Sequence, residues 1–541
     1  MIMSENIPLL GNEAVALAAI HAGITAAYGY PGTPSTEALE FVLNFSKKEG
    51  YPKAFWSTNE KTAYETALGV ALIGKRSLVT MKHVGLNVAA DPFMSSAIVD
   101  LHGSLVLMIT DDPGMHSSQN EQDSRYYADL AKIPCLEPAT NQEAYDMTIQ
   151  AFDLSEKLRV PVMVRLVTRL AHCREVVRTI PQRPENPIKK APNANSWILM
   201  PINARRQWHS MLEKQKVIHE FGETTPYNKL EISKNSQDVG VITTGIALGY
   251  YHENLSSLGF KPSHLHIGAY PFPEDKIREL AAVSKKLYII EDGYPFVERY
   301  LRGILPQTSI TVLGKTTGHL PMEGELNPDL VRKMFEIKAA PGMQPLNFDL
   351  SARPPQLCSG CPHTDSYGSL KKALSHFGTE TLVASDVGCY TLGALAPLQA
   401  IETCVCMGAS IGLAKGAADS GFFPAVAVIG DSTFLHSGIT PLLDAVASNS
   451  NMTLLILDNE TVGMTGGQPT IVSSSRIKEI VLGCGVSPEH LHVIDPHRTN
   501  LDLNAEIIRK EIEYPGLSVV IGVRECIETL KRKKQERRSE T

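Results

Sequence analysis

Two apolar runs in the last third of the chain, "PAVAVIG" at 424–430 and "MTLLILD" at 452–458, limit the fold more than any other feature. Each is short, rich in Val, Ile and Leu, and ends on an acidic residue or runs into one: Asp431 after the first, Asp458-Asn459 at the end of the second. The segment between them, "SGITPLLDAVASN", carries apolar residues at helical spacing. Strand, turn, helix and strand in that order form a parallel crossover. The polar residues then fall at the carboxyl ends of the strands, the edge where open α/β sheets bind ligands. An Asp after one strand and an Asn after the next are oxygen ligands suited to a divalent cation that also holds phosphate oxygens. The plainer reading is a Gly-Asp turn with a helix-capping Asn.

Short buried strands alternate with helices along most of the chain, which predicts an α/β protein with parallel sheets. At 541 residues there is room for roughly three domains. In the first, residues 1–178, "SLVTMK", "SLVLMITDD" and "VPVMVRLVT" read as strands, and the N-terminus reads as a strand entering an amphipathic helix. Residues 179–230 begin with a proline-rich polar stretch and continue as a charged helix, a linker and connecting helix. A second unit covers 231–340. The loop-like passage "KAAPGMQPLNFDLSARPPQ" leads to a third at 350–530, and a charged tail, 531–541, reads as solvated. The formal net charge of −7 excludes an overall basic surface for nucleic acid. No apolar stretch is long enough to predict a membrane span, and the first residues lack a basic, cleavable leader, so the expected compartment is the cytoplasm. There, nine cysteines fit reduced thiols and metal ligands better than disulfides.

Gly430-Asp431-Ser432, closing at Asn459, resembles the thiamine diphosphate signature Gly-Asp-Gly followed at helix-plus-strand distance by Asn, with Ser in place of the last Gly. The resemblance implies that Asp431 and Asn459 ligate Mg²⁺ through their side chains and Thr461 through its backbone carbonyl. Thiamine enzymes also place a Glu beside the aminopyrimidine ring, at the start of a helix in a different domain. "STNEKTAYETALGVALIGKRSLVTMKHVGLN" offers Glu60 for that role, and burial against the ring would raise its carboxyl pKa and suit it to proton exchange. "GYPGTPSTE" resembles the substrate-carboxylate loop of 2-oxoacid:ferredoxin oxidoreductases, with Thr33 as the matching residue.

With "DDPGMHSSQNEQDSRYYA", "GELNPDLV" and "CSGCPHTDSYGSL" added, the whole chain resembles the large, thiamine-binding subunit of indolepyruvate ferredoxin oxidoreductase. That family implies a thiamine diphosphate-binding fold: doubly wound parallel sheets in a pyrimidine-binding (Pyr) and a diphosphate-binding (PP) domain, plus a transketolase C-terminal-like domain between them. It implies oxidative decarboxylation of an aryl 2-oxoacid to its acyl-coenzyme A, with electrons leaving to ferredoxin or another carrier. It further implies a smaller beta subunit and a dimer of heterodimers. The competing reading is a non-oxidative thiamine-dependent decarboxylase or ligase. His83 is expected at the catalytic centre, and Lys82, Asn87 and Arg125 against substrate, although a salt bridge to Asp123 or Glu121 explains Arg125 equally well. Gly388, Gly408, Gly430 and Gly466, with Ser432, are expected to let the backbone approach the cofactor. Members of the family usually end in a ferredoxin-like domain with two clustered Cys-x-x-Cys-x-x-Cys runs, and this sequence contains none. Four other cysteines, Cys358, Cys361, Cys389 and Cys526, match the order that holds one [4Fe–4S] cluster in related oxidoreductases. Four thiolates also suit zinc, and buried unligated thiols remain the third option. Cys404 and Cys406 are expected to be packing residues.

Overall fold

The computed structural model describes residues 6–190, 194–305, 309–338, 356–378 and 380–539. The chain divides into two compact units, 1–344 and 345–541. The loop expected between the second and third sequence segments lies outside the described residues for most of its length.

Unit 1 contains two sheets. The larger has seven strands in the spatial order Ala269–Tyr270, Cys135–Leu136, Val162–Val167, Ser104–Asp111, Arg76–Lys82, Ala26–Gly29 and Lys53–Trp56. All pairings are parallel except that of Ala269–Tyr270 with Cys135–Leu136. Arg76–Lys82 and Ser104–Asp111 are buried at every residue, as expected of strands covered on both faces by helices. Because the five long strands run in the same direction, their carboxyl ends place Thr33, Glu60, Lys82 and Asp112 along one edge. The second sheet runs Thr311–Leu313, Lys286–Ile290, Val239–Thr244, Ser263–Ile267 and Asn228–Glu231, with the last strand antiparallel. Ala269–Tyr270 leaves this second sheet to complete the edge of the first, and one core cluster runs through both. The two sheets are therefore built as one body.

The N-terminal strand Asn6–Leu10 pairs antiparallel with Arg174–Arg178, and the following helix, Gly11–His21, is buried from Ala14 to Ile20. An alanine-rich helix this small packs between Thr36–Glu49 and Asn141–Leu158, so the expected polar face is missing. Residues Pro201–Thr224 form a helix of 24 residues.

Unit 2 is built on a five-stranded, all-parallel sheet in the order Leu382–Ser385, Ala425–Gly430, Thr453–Asp458, Ser518–Val523 and Leu491–Ile494. Successive side chains serve opposite faces. Ala425, Ala427, Ile429, Leu454 and Ile456 join one core, and Val426, Val428, Leu455 and Leu457 join the other. Asp386, Asp431, Asp458 and Cys526 follow the carboxyl ends of four of these strands. The charged C-terminus is a helix, Ile527–Ser539, half-buried at Ile527 and Thr529 and exposed from Leu530 to Gln535, where a solvated tail was expected.

Candidate active site and metal-binding residues

In unit 1, Asn59 caps the helix Glu60–Leu72, its side-chain oxygen accepting the Thr62 N–H at 2.8 Å. Glu60 is thereby the first helical residue, where the helix dipole favours a carboxylate, and it is only 5% exposed. Its carboxyl is pressed against Gly85. A Cβ at Gly85 would lie 2.6 Å from Glu60 Oε1, so the approach requires glycine there.

Lys82 ends the strand Arg76–Lys82. Its stem lies over Gly32, and its Nζ donates to the Ser117 carbonyl at 3.1 Å. Burial pulls the Lys82 pKa down to about 8, against the opposing pull of Asp112 and Glu60. Thr33 joins the same group, its carbonyl accepting from Ser117 Oγ at 2.8 Å. His83 is buried, with Nε2 3.1 Å from the Asn120 carbonyl and Nδ1 without a hydrogen-bond partner among the described residues. Glu60, Lys82, His83 and Thr33 are thus brought together. Asp112, Ser117 and Asn120 join them, although the sequence reading did not single them out. Burial tends to raise the Asp112 pKa, but hydrogen bonds from Ser117, Ser118 and Thr168 and the nearby Lys82 charge hold it below the ordinary value. The sequence signal for this residue was the acidic pair that ends "SLVLMITDD". Asn87 is exposed on the helix His83–Val88 and accepts from the Tyr127 hydroxyl at 2.7 Å.

Arg125 does not face this group, and the structure corrects its assignment to substrate. Its side chain is fully buried, paired with Asp123 at 2.5 Å and Glu291 at 3.2 Å, and it donates to Tyr270, Thr244 and the carbonyls of Asp292 and Tyr294. A guanidinium whose donors are all engaged within the core has none left for a substrate carboxylate.

In unit 2, Asp431 opens the helical segment after Ala425–Gly430. Its Oδ1 accepts the Ser432 N–H at 2.8 Å, and its buried Oδ2 has no partner among the described residues. Asp458, at the end of the neighbouring strand, repeats the pattern: Oδ1 accepts the Glu460 N–H at 3.2 Å and the buried Oδ2 has no hydrogen-bond partner among the described residues. Burial, and then the Asp458 carboxyl facing it, pushes Asp431 well above the usual carboxylate range. Two buried carboxyls in this relation require a proton or a cation between them. Asn459 Oδ1 accepts the Thr461 N–H at 3.0 Å, which turns its Nδ2 towards His363 Nε2 at 3.2 Å. Burial holds the His363 pKa down at about 4, so its Nε2 accepts from Asn459 and keeps the amide oxygen on the Thr461 side. Asp458 and His363 were absent from the expected site.

The glycines divide into two groups. A Cβ at Gly388 or Gly430 would strike the Tyr390 ring, at 2.2 and 2.5 Å, so both first serve the packing of that buried tyrosine. Gly408 (φ +87°) caps the helix Ala409–Asp419. Gly466 and Gly467, both at positive φ, make the turn between Thr461–Val462 and Gln468–Pro469.

The Cys361 N–H donates to the Cys358 carbonyl at 3.0 Å, and the Cys526 N–H to the Asn459 carbonyl at 3.1 Å; Gly463 lets Cys389 Sγ approach its backbone. Burial raises the Cys389 pKa to about 12, and Cys361, Cys526 and Cys358 add to the rise, so the four sulfurs lie within electrostatic reach of one another. Among the described residues, no group of three or more His, Cys, Asp or Glu has geometry that would hold a metal ion. Cys404 and Cys406 are exposed, contrary to the expectation that they pack; they precede the helix Ala409–Asp419 in an irregular segment.

Residues 17–238 match the family model described as pyruvate flavodoxin/ferredoxin oxidoreductase, thiamine diphosphate-binding, and 386–489 match the thiamine pyrophosphate enzyme C-terminal binding domain. These matches define a thiamine diphosphate enzyme of 2-oxoacid oxidation. Indolepyruvate oxidoreductase subunit IorA of Archaeoglobus fulgidus is 38% identical over 96% of this chain and 86% of its own length, and that of Methanothermobacter marburgensis is 37% identical over the same shares. The 2-oxoglutarate synthase subunit KorA of Methanothermobacter thermautotrophicus is 30% identical over 37% of this chain and 55% of its own length. The chain belongs to the family of indolepyruvate oxidoreductase subunit IorA. It is a 2-oxoacid:ferredoxin oxidoreductase subunit that works by thiamine diphosphate-dependent oxidative decarboxylation, and these relatives favour that chemistry over the non-oxidative alternative.

Proposed function

We propose that this chain is the catalytic subunit of an enzyme that converts an aryl 2-oxoacid of the indolepyruvate type and coenzyme A into the acyl-coenzyme A, in the cytoplasm, with a smaller second subunit in a dimer of heterodimers. Residues 1–178 then serve as the Pyr domain, 231–340 as the transketolase C-terminal-like domain and 350–530 as the PP domain. The observation that carries the reading is the pair of buried carboxylate oxygens, Asp431 Oδ2 and Asp458 Oδ2, without a hydrogen-bond partner among the described residues at the carboxyl ends of adjacent parallel strands. A divalent cation with phosphate oxygens supplies the missing positive charge, and Mg²⁺ takes a few protein oxygens in such sites. Asp431, Asn459 and the Thr461 carbonyl are the groups that would hold it, with Asp458 beside them. Bound thiamine diphosphate supplies the carbanion and the electron sink.

The chain's own residues then bind, orient and move protons. The Glu60 carboxyl exchanges a proton with the aminopyrimidine ring. The Thr33 hydroxyl and the Lys82 ammonium hold the substrate carboxylate, and His83 Nδ1 accepts a hydrogen bond in the same pocket. Cys358, Cys361, Cys389 and Cys526 are the thiolates that would hold one [4Fe–4S] cluster, the donor set such clusters use, and a cluster there would supply one-electron transfer towards ferredoxin or another carrier.

Anaerobically purified protein tests the reading. About four irons per chain, bleached when indolepyruvate and coenzyme A are added, are expected. So is thiamine diphosphate binding that needs Mg²⁺ and is lost in Asp431→Asn. Substrate consumption by iron-free protein would overturn the cluster assignment.

A further inference from the structure

The C-terminal helix Ile527–Ser539 begins one residue after Cys526 and concentrates charge of one sign. Its sequence, "IETLKRKKQERRS", holds six cations against Glu528 and Glu536, in a chain whose formal net charge is −7. Lys531 and Lys534 are three residues apart and Lys533 and Arg537 four, so like charges face one another along the helix, a destabilising arrangement. Lys531 pairs with Glu528 at 2.7 Å and Lys533 with Glu525.

The helix is nonetheless fixed in place. The Arg532 guanidinium donates to the Gly467 carbonyl at 2.8 Å and the Gly466 carbonyl at 3.3 Å, and the Thr529 hydroxyl reaches Thr461. Ile527 packs on the Cys358–Cys361 turn at Gly360. Lys531 lies within electrostatic reach of the Cys358 sulfur. Leu530 on the helix and Met464 in the hairpin that Arg532 holds are both exposed, 36% and 53%. Exposed apolar side chains on a helix rich in lysine and on the hairpin it holds have the make-up of a transient protein interface, apolar contacts with a charged rim. Because charged rims raise encounter rates more than affinity, such a surface suits a partner that must arrive and leave at each turnover.

We propose that this helix is the docking surface for an acidic electron-carrier protein, with Lys531 and Lys534 steering the carrier and Leu530 and Met464 at the contact centre. This rests on the reading of the four cysteines as the electron exit. Two electrons leave per 2-oxoacid oxidised. Each reduces the carrier by one electron, and no bond or proton moves at the surface.

The test measures binding of an oxidised, acidic two-cluster bacterial ferredoxin to the intact holoenzyme by calorimetry at low and high salt, alongside turnover with either the ferredoxin or a small viologen as acceptor. In Lys531→Glu/Lys534→Glu, ferredoxin Kd and KM should rise at least tenfold and lose most of their salt dependence, while viologen reduction and iron content stay at the parent level. Lys531→Arg/Lys534→Arg should retain parent binding. Equal ferredoxin binding by the charge-reversed and parent proteins would overturn the proposal. So would parent protein that binds duplex DNA or acidic vesicles in place of ferredoxin. Failure of the cofactor reading is distinct: no iron and no viologen reduction from any 2-oxoacid, whatever the binding result.

Discussion

Glu60 is held by two independent constraints, the Asn59 cap that makes it a first-turn residue and the bare face of Gly85 that admits its carboxyl. If it exchanges protons with the cofactor ring, Glu60→Gln keeps the shape and removes the proton. General acid–base groups contribute about 10²- to 10⁴-fold, so kcat should fall by about that factor, with the thermal midpoint unchanged and hydrogen–deuterium exchange at the cofactor's reactive carbon slowed in parallel. An unchanged exchange rate would remove Glu60 from the mechanism. Gly85→Ala tests the same geometry from the other side. A methyl group 2.6 Å from Oε1 must displace the carboxyl, so kcat should drop at least tenfold while Mg²⁺-dependent cofactor binding persists. Glu60 was legible in the sequence because a helix start is a local pattern. Its dependence on Gly85 was not, because the contact joins two elements separated by a helix and a strand.

At the scale of elements, the buried ionic network explains why unit 1 holds two sheets as one body. Arg125 and Arg165 reach Asp111, Asp123 and Glu137 from the first sheet, and Glu291 and the Asp292 carbonyl from the second. Arg125→Met should leave these carboxylates without their partner and cost about 3–5 kcal/mol, read as a lower denaturant midpoint. A substrate-binding arginine would instead raise KM and leave the midpoint in place, so the two roles separate cleanly. Arg76–Lys82, Ser104–Asp111 and Val162–Val167 were legible because covered parallel strands are continuous apolar runs, whereas the short strands Ala26–Gly29 and Lys53–Trp56 carry no such run. Arg125's partners were not, since Glu137, Tyr270 and Glu291 lie far along the chain and only the fold brings them to it. The C-terminal helix was illegible for a different reason. Its sequence has charge but almost no apolar periodicity, and its position depends on contacts made through space: Arg532 on the carbonyls of a glycine turn, Thr529 on Thr461 and Ile527 at Gly360. In unit 2, Asp431 and Asn459 stood out by spacing, whereas His363 is joined to Asn459 only through space.

For the whole molecule, the acids of this network set opposing dependences of stability on pH. Asp123 is held near pKa 2 because the Arg125 and Arg165 charges outweigh its burial, so it contributes stability above the unfolded-state value of 3.8 that is lost as the pH falls through 2. Asp292 is the reverse case. Burial raises its carboxyl to about 6 despite the pull of Lys315 and Arg165, and its Oδ2 has no hydrogen-bond partner among the described residues. The folded state therefore holds more protons than the unfolded state between pH 4 and 6, and stability falls as the pH rises through that window. A displacement of that size is worth about 3 kcal/mol at neutral pH. Asp292→Asn keeps an acceptor for the Gly293 and Leu326 N–H groups, at 3.2 and 3.4 Å, and removes the ionisation. The variant should match the parent near pH 4 and gain on it steadily to a plateau near pH 7, measured as the difference in denaturant midpoint at each pH. If Asp292→Asn is instead the less stable protein at pH 7, the attraction between ionised Asp292 and Lys315 outweighs burial, and the acidic surplus of the network is balanced by that lysine.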